Sequence, residues 1–516
     1  MFAWTKTHIV PENRLFCPIF DGNKKNTTLT GIRIFFRMRR EIQRSNIMDK
    51  ESFRRHGYRC VDWLVDYFEN IAELPVKPHL DPGDIRKKLP EKPPVQGESL
   101  DSVFQDFQDI VLPGITHWQH PSWFAYFPAN NSPPSILAEM LTAGIGAQCM
   151  VWQTSPAAAE LEEVVLDWLR QMLGLPEDMS GVIQDTASTA TLVALLTARE
   201  KVTDFEANLA GIQNTLTVYA SEETHSSIEK GVKIAGYGKK NLRLIPTDDS
   251  FAMIPEKLEE SIVEDKNKGF QPACVIGTVG TTSSTAVDPL APIGEICRRH
   301  NVWFHVDAAF SGTAAILPEK KWMLDGVEHV DSFVFNPHKW MMTNFDCSAY
   351  FVKDSGALIR TFEVHPAYLK TGVDAEVKNY RDWGIQLGRR FRALKLWFVI
   401  RSYGVEGIQK IVREHIRLAG MVKEWVEQDD RFELMAPVPV SLVCFRLNDG
   451  RDEDRLNELN KEFLERLNRT GKLFLTQTSL RGKYVLRMSI AARLTEEKHV
   501  REAWKLIKTI AEELLS

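Results

Sequence analysis

Between residues 133 and 394 the chain switches repeatedly between two hydrophobic periods, and this alternation restricts its fold more than any other feature. Residues 155–173, 190–199, 226–235 and 293–300 have helical spacing, whereas 215–220, 273–279, 302–306, 332–335 and 348–352 are short, nearly continuous apolar runs. Such runs read as strands buried on both faces. Strands alternating with helices predict an α/β large domain at 133–394, with a mostly parallel sheet covered on both sides. Ligands of such sheets bind beyond the carboxyl ends of the strands. His225, Thr282, Asp307 and Lys339 all fall at or just past those ends.

The pattern changes on either side. After 395, strand-like 441–447 and 484–490 are separated by a helix near 454–470, and a long helix at 496–515 follows. This reads as a smaller α+β C-terminal domain, 395–516. Before the sheet, Tyr58, Val61, Leu64, Val65 and Phe68 mark an amphipathic helix over 51–72, and prolines 75, 78, 82, 90, 93 and 94 predict a stiff, extended connection. Together these form an N-terminal helical segment, 48–132. Residues 1–47 hold nine Lys/Arg against three acids, a charge of +6 that leaves −11 for the rest. They read as a leader, either translated upstream sequence or a disordered tail, with Met48 as the expected native start.

A net charge of −5 without a basic block argues against nucleic acid as a partner. No apolar run reaches the roughly eighteen residues that a membrane helix needs. The seven cysteines are scattered, odd in number and without a CxxC pair, so neither a disulfide framework nor a zinc site is expected. A reducing cytoplasm is the expected compartment.

Asn336-Pro337-His338-Lys339-Trp340 places a lysine in a loop just past the 332–335 strand, well placed to form a Schiff base. Asp307 ends the 302–306 strand, where a carboxylate is costly unless a cation meets it. A lysine linkage together with an acid on the ring nitrogen is the pyridoxal-phosphate arrangement. Asp185-Thr186-Ala187-Ser188-Thr189-Ala190-Thr191 is small, hydroxyl-rich and opens a helix, a suitable anion cradle, although Ser and Thr also serve as ordinary N-caps. His225, in Thr224-His225-Ser226-Ser227, could lie flat on a pyridine ring or serve structurally. The Pro- and Gly-punctuated stretch 365–372 reads as a lid, and Tyr368 on it could carry a proton. His117 and His120 lack a third ligand at zinc spacing, and Gly144-Ile145-Gly146 lacks the strand and final glycine of a dinucleotide fingerprint.

With these motifs in view, the chain from about Ser52 onward resembles the pyridoxal-phosphate group II decarboxylases, specifically the aromatic-L-amino-acid decarboxylases. The matching stretches are His117-Trp118, Phe124-Ala125-Tyr126-Phe127-Pro128, Ser155-Pro156-Ala157, Thr224-His225-Ser226-Ser227, His305-Val306-Asp307-Ala308, Asn336-Pro337-His338-Lys339-Trp340 and Gly388-Arg389-Arg390-Phe391-Arg392. The resemblance implies a homodimer of the fold-type I PLP-dependent transferase class, with active sites at the subunit interface. It assigns Lys339 to the cofactor linkage and Asp307 to the ring nitrogen. Ala187, Ser188, Thr282, Asn336 and His338 would surround the cofactor and its phosphate, and His225 would stack on the ring. Trp118, Tyr126, Phe127 and Pro128 would line an aromatic pocket, with Gln148 and Met150 reaching in from the partner chain.

Three positions refine the expected reaction. Tyr368 is tyrosine where relatives that oxidise their substrate to an aldehyde carry phenylalanine, which favours simple decarboxylation. Ala129 stands where animal enzymes carry a threonine used toward the catechol. Gly388 leaves room for a large ring. The expected order is tryptophan or phenylalanine, then tyrosine or dopa. An aldehyde synthase is the alternative, followed by a decarboxylase of another amino acid. A non-catalytic relative would have been signalled by loss of Lys339, Asp307 or His225, and all three are present.

Overall fold

The computed structural model describes residues 48–364 and 376–516. The 1–47 leader and the stretch 365–375, which carries Tyr368, lie outside the described residues. The chain divides into two compact units, one running to Phe68 and including Arg86–Ile110, the other comprising Glu69–Ile85 and Val111–Ser516.

In the first unit the helix Lys50–Asn70 forms as its apolar spacing predicts. Trp63 stacks on Tyr67 with ring centroids 5.2 Å apart and meets Phe104 and Phe107 edge-on. Arg59 donates to Asp101 at 2.7 Å. The proline-rich connection is not extended throughout, because a short helix, Asp84–Lys88, interrupts it. No proline falls within those five residues, and an acid leads and three bases close the turn, complementing the helix dipole.

The second unit holds eleven described strands: β1 (Ser180–Gln184), β2 (Leu216–Ser221), β3 (Leu242–Ile245), β4 (Gln271–Thr278), β5 (Trp303–Asp307), β6 (Ser332–Phe335), β7 (Ser348–Val352), β8 (Phe432–Leu434), β9 (Leu442–Leu447), β10 (Thr476–Leu480) and β11 (Lys483–Ser489). The first seven form one sheet in the order β1-β7-β6-β5-β4-β2-β3. β2 pairs parallel to β3 and β4, β4 to β5, and β5 to β6, whereas β7 runs antiparallel to both β1 and β6. The expected mostly parallel sheet therefore forms, and β1 to β6 all deliver their carboxyl ends to one edge.

Alternation within these strands feeds two cores. Phe304, Val306, Phe333, Phe335 and Phe351 face one cluster, and Trp303, Val334, Tyr350 and Val352 face the other. Fully burying each such side chain contributes about 1.5–3 kcal/mol. This is why the strands read as continuous apolar runs. His305 and Asp307 share the Trp303 face of β5, which the helix Ala187–Val202 helps to cover.

The second sheet, β10-β11-β9-β8, is antiparallel and backed by the helices Glu453–Arg469 and Glu497–Leu515. A 36-residue helix, Arg392–Glu427, serves both sheets. Its N-terminal part packs through Leu396, Val399 and Val412 into the core of the large sheet, and the remainder through Leu418, Val422 and Val426 into that of the small one. Its backbone breaks helical geometry at Gly404, whose φ of 65° suits glycine. The six cysteines among the described residues are unpaired. Among the described residues, no helix is long and apolar enough to cross a membrane.

Candidate active site

Five strand ends bring the candidate residues to one edge. After β1, Thr186 caps the helix Ala187–Val202 by accepting from Thr189 N, which puts Ala187 and Ser188 in its first turn. After β2, His225 caps the helix Ser226–Ile234, with Nδ1 accepting from Ser227 N at 3.2 Å. After β4 the chain turns at Gly280 (φ 92°), where any side chain would collide with Ser311, and continues to Thr282. Asp307 is itself the last residue of β5, not the first beyond it. Lys339 lies not in an open loop but in a one-turn helix, Pro337–Trp340, that follows β6. The difference arises because Pro337 at the first helical position has its φ already set for a turn.

Every residue of that turn is held. Ser348 Oγ donates to Asn336 Oδ1 at 2.5 Å, and Lys339 N donates to the Asn336 carbonyl at 2.9 Å. Cys347 N donates to His338 Nδ1 at 2.9 Å, so neutral His338 carries its proton on Nε2. Trp340 Nε1 donates to His415 Nδ1 at 2.9 Å. Asn130 Nδ2 donates to the Lys339 carbonyl at 2.7 Å and to the Ala491 carbonyl at 2.9 Å. The backbone of Lys339 is thus clamped while its amine projects toward Phe127, 5.4 Å from the ring centroid.

Desolvation lowers the pKa of Lys339 and Arg487 pushes the same way, against the opposing pull of Asp307. His225 lies on the open side of the site, yet desolvation of its ring is the main cause of its lowered pKa, again opposed by Asp307. Asp307 is 5% exposed, accepts from Ala309 N at 2.9 Å, and makes no ion pair among the described residues.

The aromatic candidates fall into two groups. Phe127 stacks on Phe310 at 3.9 Å, and Phe310 on Trp340 at 4.8 Å, forming a column beside Lys339. Trp118 and Tyr126 stack on each other at 5.7 Å and remain exposed. Pro128 is buried, and the Ala129 carbonyl accepts from Gln119 at 2.6 Å. Gln148 and Gly388 lie together in a separate depression of 290 Å³ whose lining includes none of Lys339, Asp307 or His225. There Gln148 Oε1 accepts from Arg389 N at 2.7 Å, and the Met150 carbonyl accepts from Arg381 N at 2.8 Å.

A family model described as the pyridoxal-dependent decarboxylase conserved domain matches residues 82–448. The chain belongs to the pyridoxal-dependent decarboxylases. Phenylacetaldehyde synthase of Arabidopsis thaliana is 47% identical over 91% of this chain and 97% of its own length. Tyrosine decarboxylase 2 of Narcissus pseudonarcissus is 44% identical over 91% and 96%. A crystal structure of Oryza sativa TDC with PLP and tryptamine superposes with a TM-score of 0.89 at 38% identity, covering 91% of this chain and 99% of that one.

The residues of this decarboxylase suit pyridoxal phosphate. Asp307 is a buried carboxylate without a cationic partner among the described residues, as a pyridinium nitrogen requires. The small residues Ala187 and Ser188 open a 16-residue helix, as a phosphate requires. Thr278, in register with Asp307, buries a hydroxyl without a partner among the described residues.

Residues other than those singled out by motif also build the site: Asn130, Phe310, His415 and Arg487. Only Arg487 carried a sequence signal, being a cation within the apolar run 484–490. Asn130 sits among turn-forming residues, and its burial could not be read locally.

Three imidazoles around the site set a pH limit. Burial pushes His305 and His415 down to about 4 and His338 down to about 3. Because these pKa values are depressed in the folded state, their contribution is present above the unfolded value near 6.5 and is lost as pH falls toward 4. Each is worth roughly 3 kcal/mol over that window. Asp288, raised by burial to about 7, acts oppositely, by roughly 4 kcal/mol. The imidazoles prevail, so the urea midpoint is expected to fall steeply between pH 6.5 and 4. A midpoint unchanged from pH 7 to 5 would contradict this.

Proposed function

We propose that this decarboxylase removes the carboxyl group of an aromatic L-amino acid as carbon dioxide and releases the arylalkylamine. The observation that carries the substrate class is Phe127 beside the Lys339 amine, with the exposed Trp118–Tyr126 pair on the same chain segment. Pyridoxal phosphate, when bound, supplies the sink for the electrons of the breaking bond. Asp307 would hold the proton of the ring nitrogen, and Lys339, Asn336, His338, Ala187, Ser188 and Thr282 would hold the rest of the group, with His225 against its face. The lowered pKa of Lys339 favours a neutral, nucleophilic amine. The aromatic side chains orient the substrate ring, and Tyr368 would deliver a proton to the α-carbon.

The chain would act as a homodimer in the cytoplasm. Leu137, Met140, Leu141 and Ile145 form one exposed apolar stripe along the helix Pro133–Ile145, a surface suited to a second copy. Gln148 and Met150 follow that helix directly, which supports their contribution to the partner's site.

A second reading, aldehyde formation, is favoured by the identity to a phenylacetaldehyde synthase. That reaction consumes dioxygen and water and yields aldehyde, carbon dioxide, ammonia and hydrogen peroxide. A product assay with phenylalanine, tryptophan, tyrosine and dopa separates the two. Equal amine and carbon dioxide without peroxide are expected from the native chain, in a particle of twice the chain mass. Tyr368→Phe is expected to divert product to aldehyde and peroxide. Peroxide from the native chain would overturn the amine reading, and a particle of single-chain mass would overturn the dimer.

A further inference from the structure

Arg487 is a buried cation to which neither the motifs nor the proposed reaction assigns a role. It sits in the interior of β11, only 4% exposed, and makes no ion pair among the described residues. A guanidinium remains charged in a protein, so burying one without a carboxylate is costly unless each donor is used. Here the donors are spread over three places. Nη2 donates to the Thr282 carbonyl at 2.7 Å and Nε to the Ser283 carbonyl at 3.2 Å, both in the turn after β4. Nη1 donates to Thr476 Oγ1 at 2.9 Å, and the same oxygen accepts from Tyr126 N at 3.3 Å. The guanidinium also lies 5.2 Å from the Phe127 ring centroid. Tyr126 is itself held at φ 52°, a conformation costly for a bulky residue unless its surroundings impose it.

We propose that Arg487 is a positioning residue that fixes the cofactor-side turn Thr282-Ser283 and the substrate-side segment Tyr126-Phe127 in one mutual register. The role rests on the reading above, in which these two segments face cofactor and substrate. The geometry explains why the residue is arginine. Only a planar fork reaches two successive carbonyls and a hydroxyl at once, and a lysine ammonium would keep the charge while losing the register. Its charge adds a second effect, since Arg487 is one of the groups that disfavour a charged Lys339.

The test compares three variants of the full chain. Arg487→Gln is expected to loosen both arms. The cofactor dissociation constant, read by titrating apoprotein with pyridoxal phosphate, should rise about tenfold, and kcat/KM should fall about 100-fold, the usual effect of a misplacement near 1 Å. Arg487→Lys should rescue neither. Thr476→Val cuts the Tyr126 arm while sparing both carbonyl contacts, so KM should rise about tenfold with the cofactor constant unchanged. Hydrogen exchange without substrate gives a readout independent of turnover: amides of 280–286 and 124–128 should both exchange faster in Arg487→Gln, and only 124–128 in Thr476→Val. If the decarboxylase assignment failed, this exchange pattern would still be tested. The proposal is overturned if Arg487→Lys behaves as wild type. It is also overturned if Arg487→Gln only lowers the melting temperature, leaving KM, cofactor affinity and exchange at both segments unchanged. Should Arg487→Gln fail to fold, Thr476→Val and Arg487→Lys still decide it.

Discussion

Lys339→Ala is expected to reduce turnover by a factor on the order of 10⁴ or more, the scale seen when a group that acts as the covalent attachment point is removed. The fold should not suffer. The backbone of residue 339 is held by Asn130 Nδ2 and by the hydrogen bond of its own N–H to the Asn336 carbonyl, and neither bond needs the side chain. The neighbouring Trp340 is anchored independently, stacked on Phe310 and bonded to His415. Lys339 also has a folded-state pKa lowered by desolvation, so its charged form opposes folding at neutral pH, and this opposition grows as pH falls. The alanine variant should therefore melt at or above the native temperature while losing its function. Borohydride reduction of the holoenzyme followed by peptide mass spectrometry should place the pyridoxyl adduct on Lys339 alone. An adduct on another lysine, or substantial activity in the variant, would remove Lys339 from its proposed role.

Asp307→Ala is the second large effect expected. Its loss would leave the ring nitrogen of bound pyridoxal phosphate without a charged partner, and kcat is expected to fall roughly 10²- to 10³-fold or more, which corresponds to about 3–4 kcal/mol of barrier. Substrate KM should change little, because Trp118, Tyr126 and Phe127, which would hold the substrate ring, lie on a different segment from Asp307. Asp307 also opposes the desolvation of both Lys339 and His225. Without it both pKa values should move further down, which a nuclear magnetic resonance titration of His225 would register. Reconstitution with N-methylated pyridoxal phosphate, whose ring nitrogen stays cationic, should restore part of the rate in the variant. Equal loss with both cofactors would mean that Asp307 acts in another way. An unchanged kcat would exclude it from the site.

Much of the large sheet was legible because its strands are local apolar runs. The 332–335 and 348–352 runs became β6 and β7 without adjustment. β1 was not legible, since Ser180-Gly181-Val182-Ile183-Gln184 is short and contains glycine, and it becomes a strand by pairing with β7. β3 was missed for a related reason. It lies at the sheet edge and pairs with β2 alone, and its four residues, interrupted by Arg243, are too few to show a strand period. The helix Arg392–Glu427 spans the composition change near 395 because both cores take part of it, and no local period distinguishes one core from two.

The candidate site divides along the same line. Lys339, Asp307 and His225 stood out as candidates because each lies at or just past the carboxyl end of a readable strand, and strand ends in such a sheet converge on one edge whatever the intervening lengths. The family, the cofactor and a candidate attachment lysine were therefore contained in the sequence itself. The tertiary structure alone decided how those groups are held: Asn130 reaches Lys339 across 209 residues, Arg487 reaches Thr282 across 205, and Trp340 reaches His415 across 75. Periodicity and turn chemistry act over a few residues, whereas a hydrogen bond between distant segments exists only after the cores have packed and excluded water from its partners.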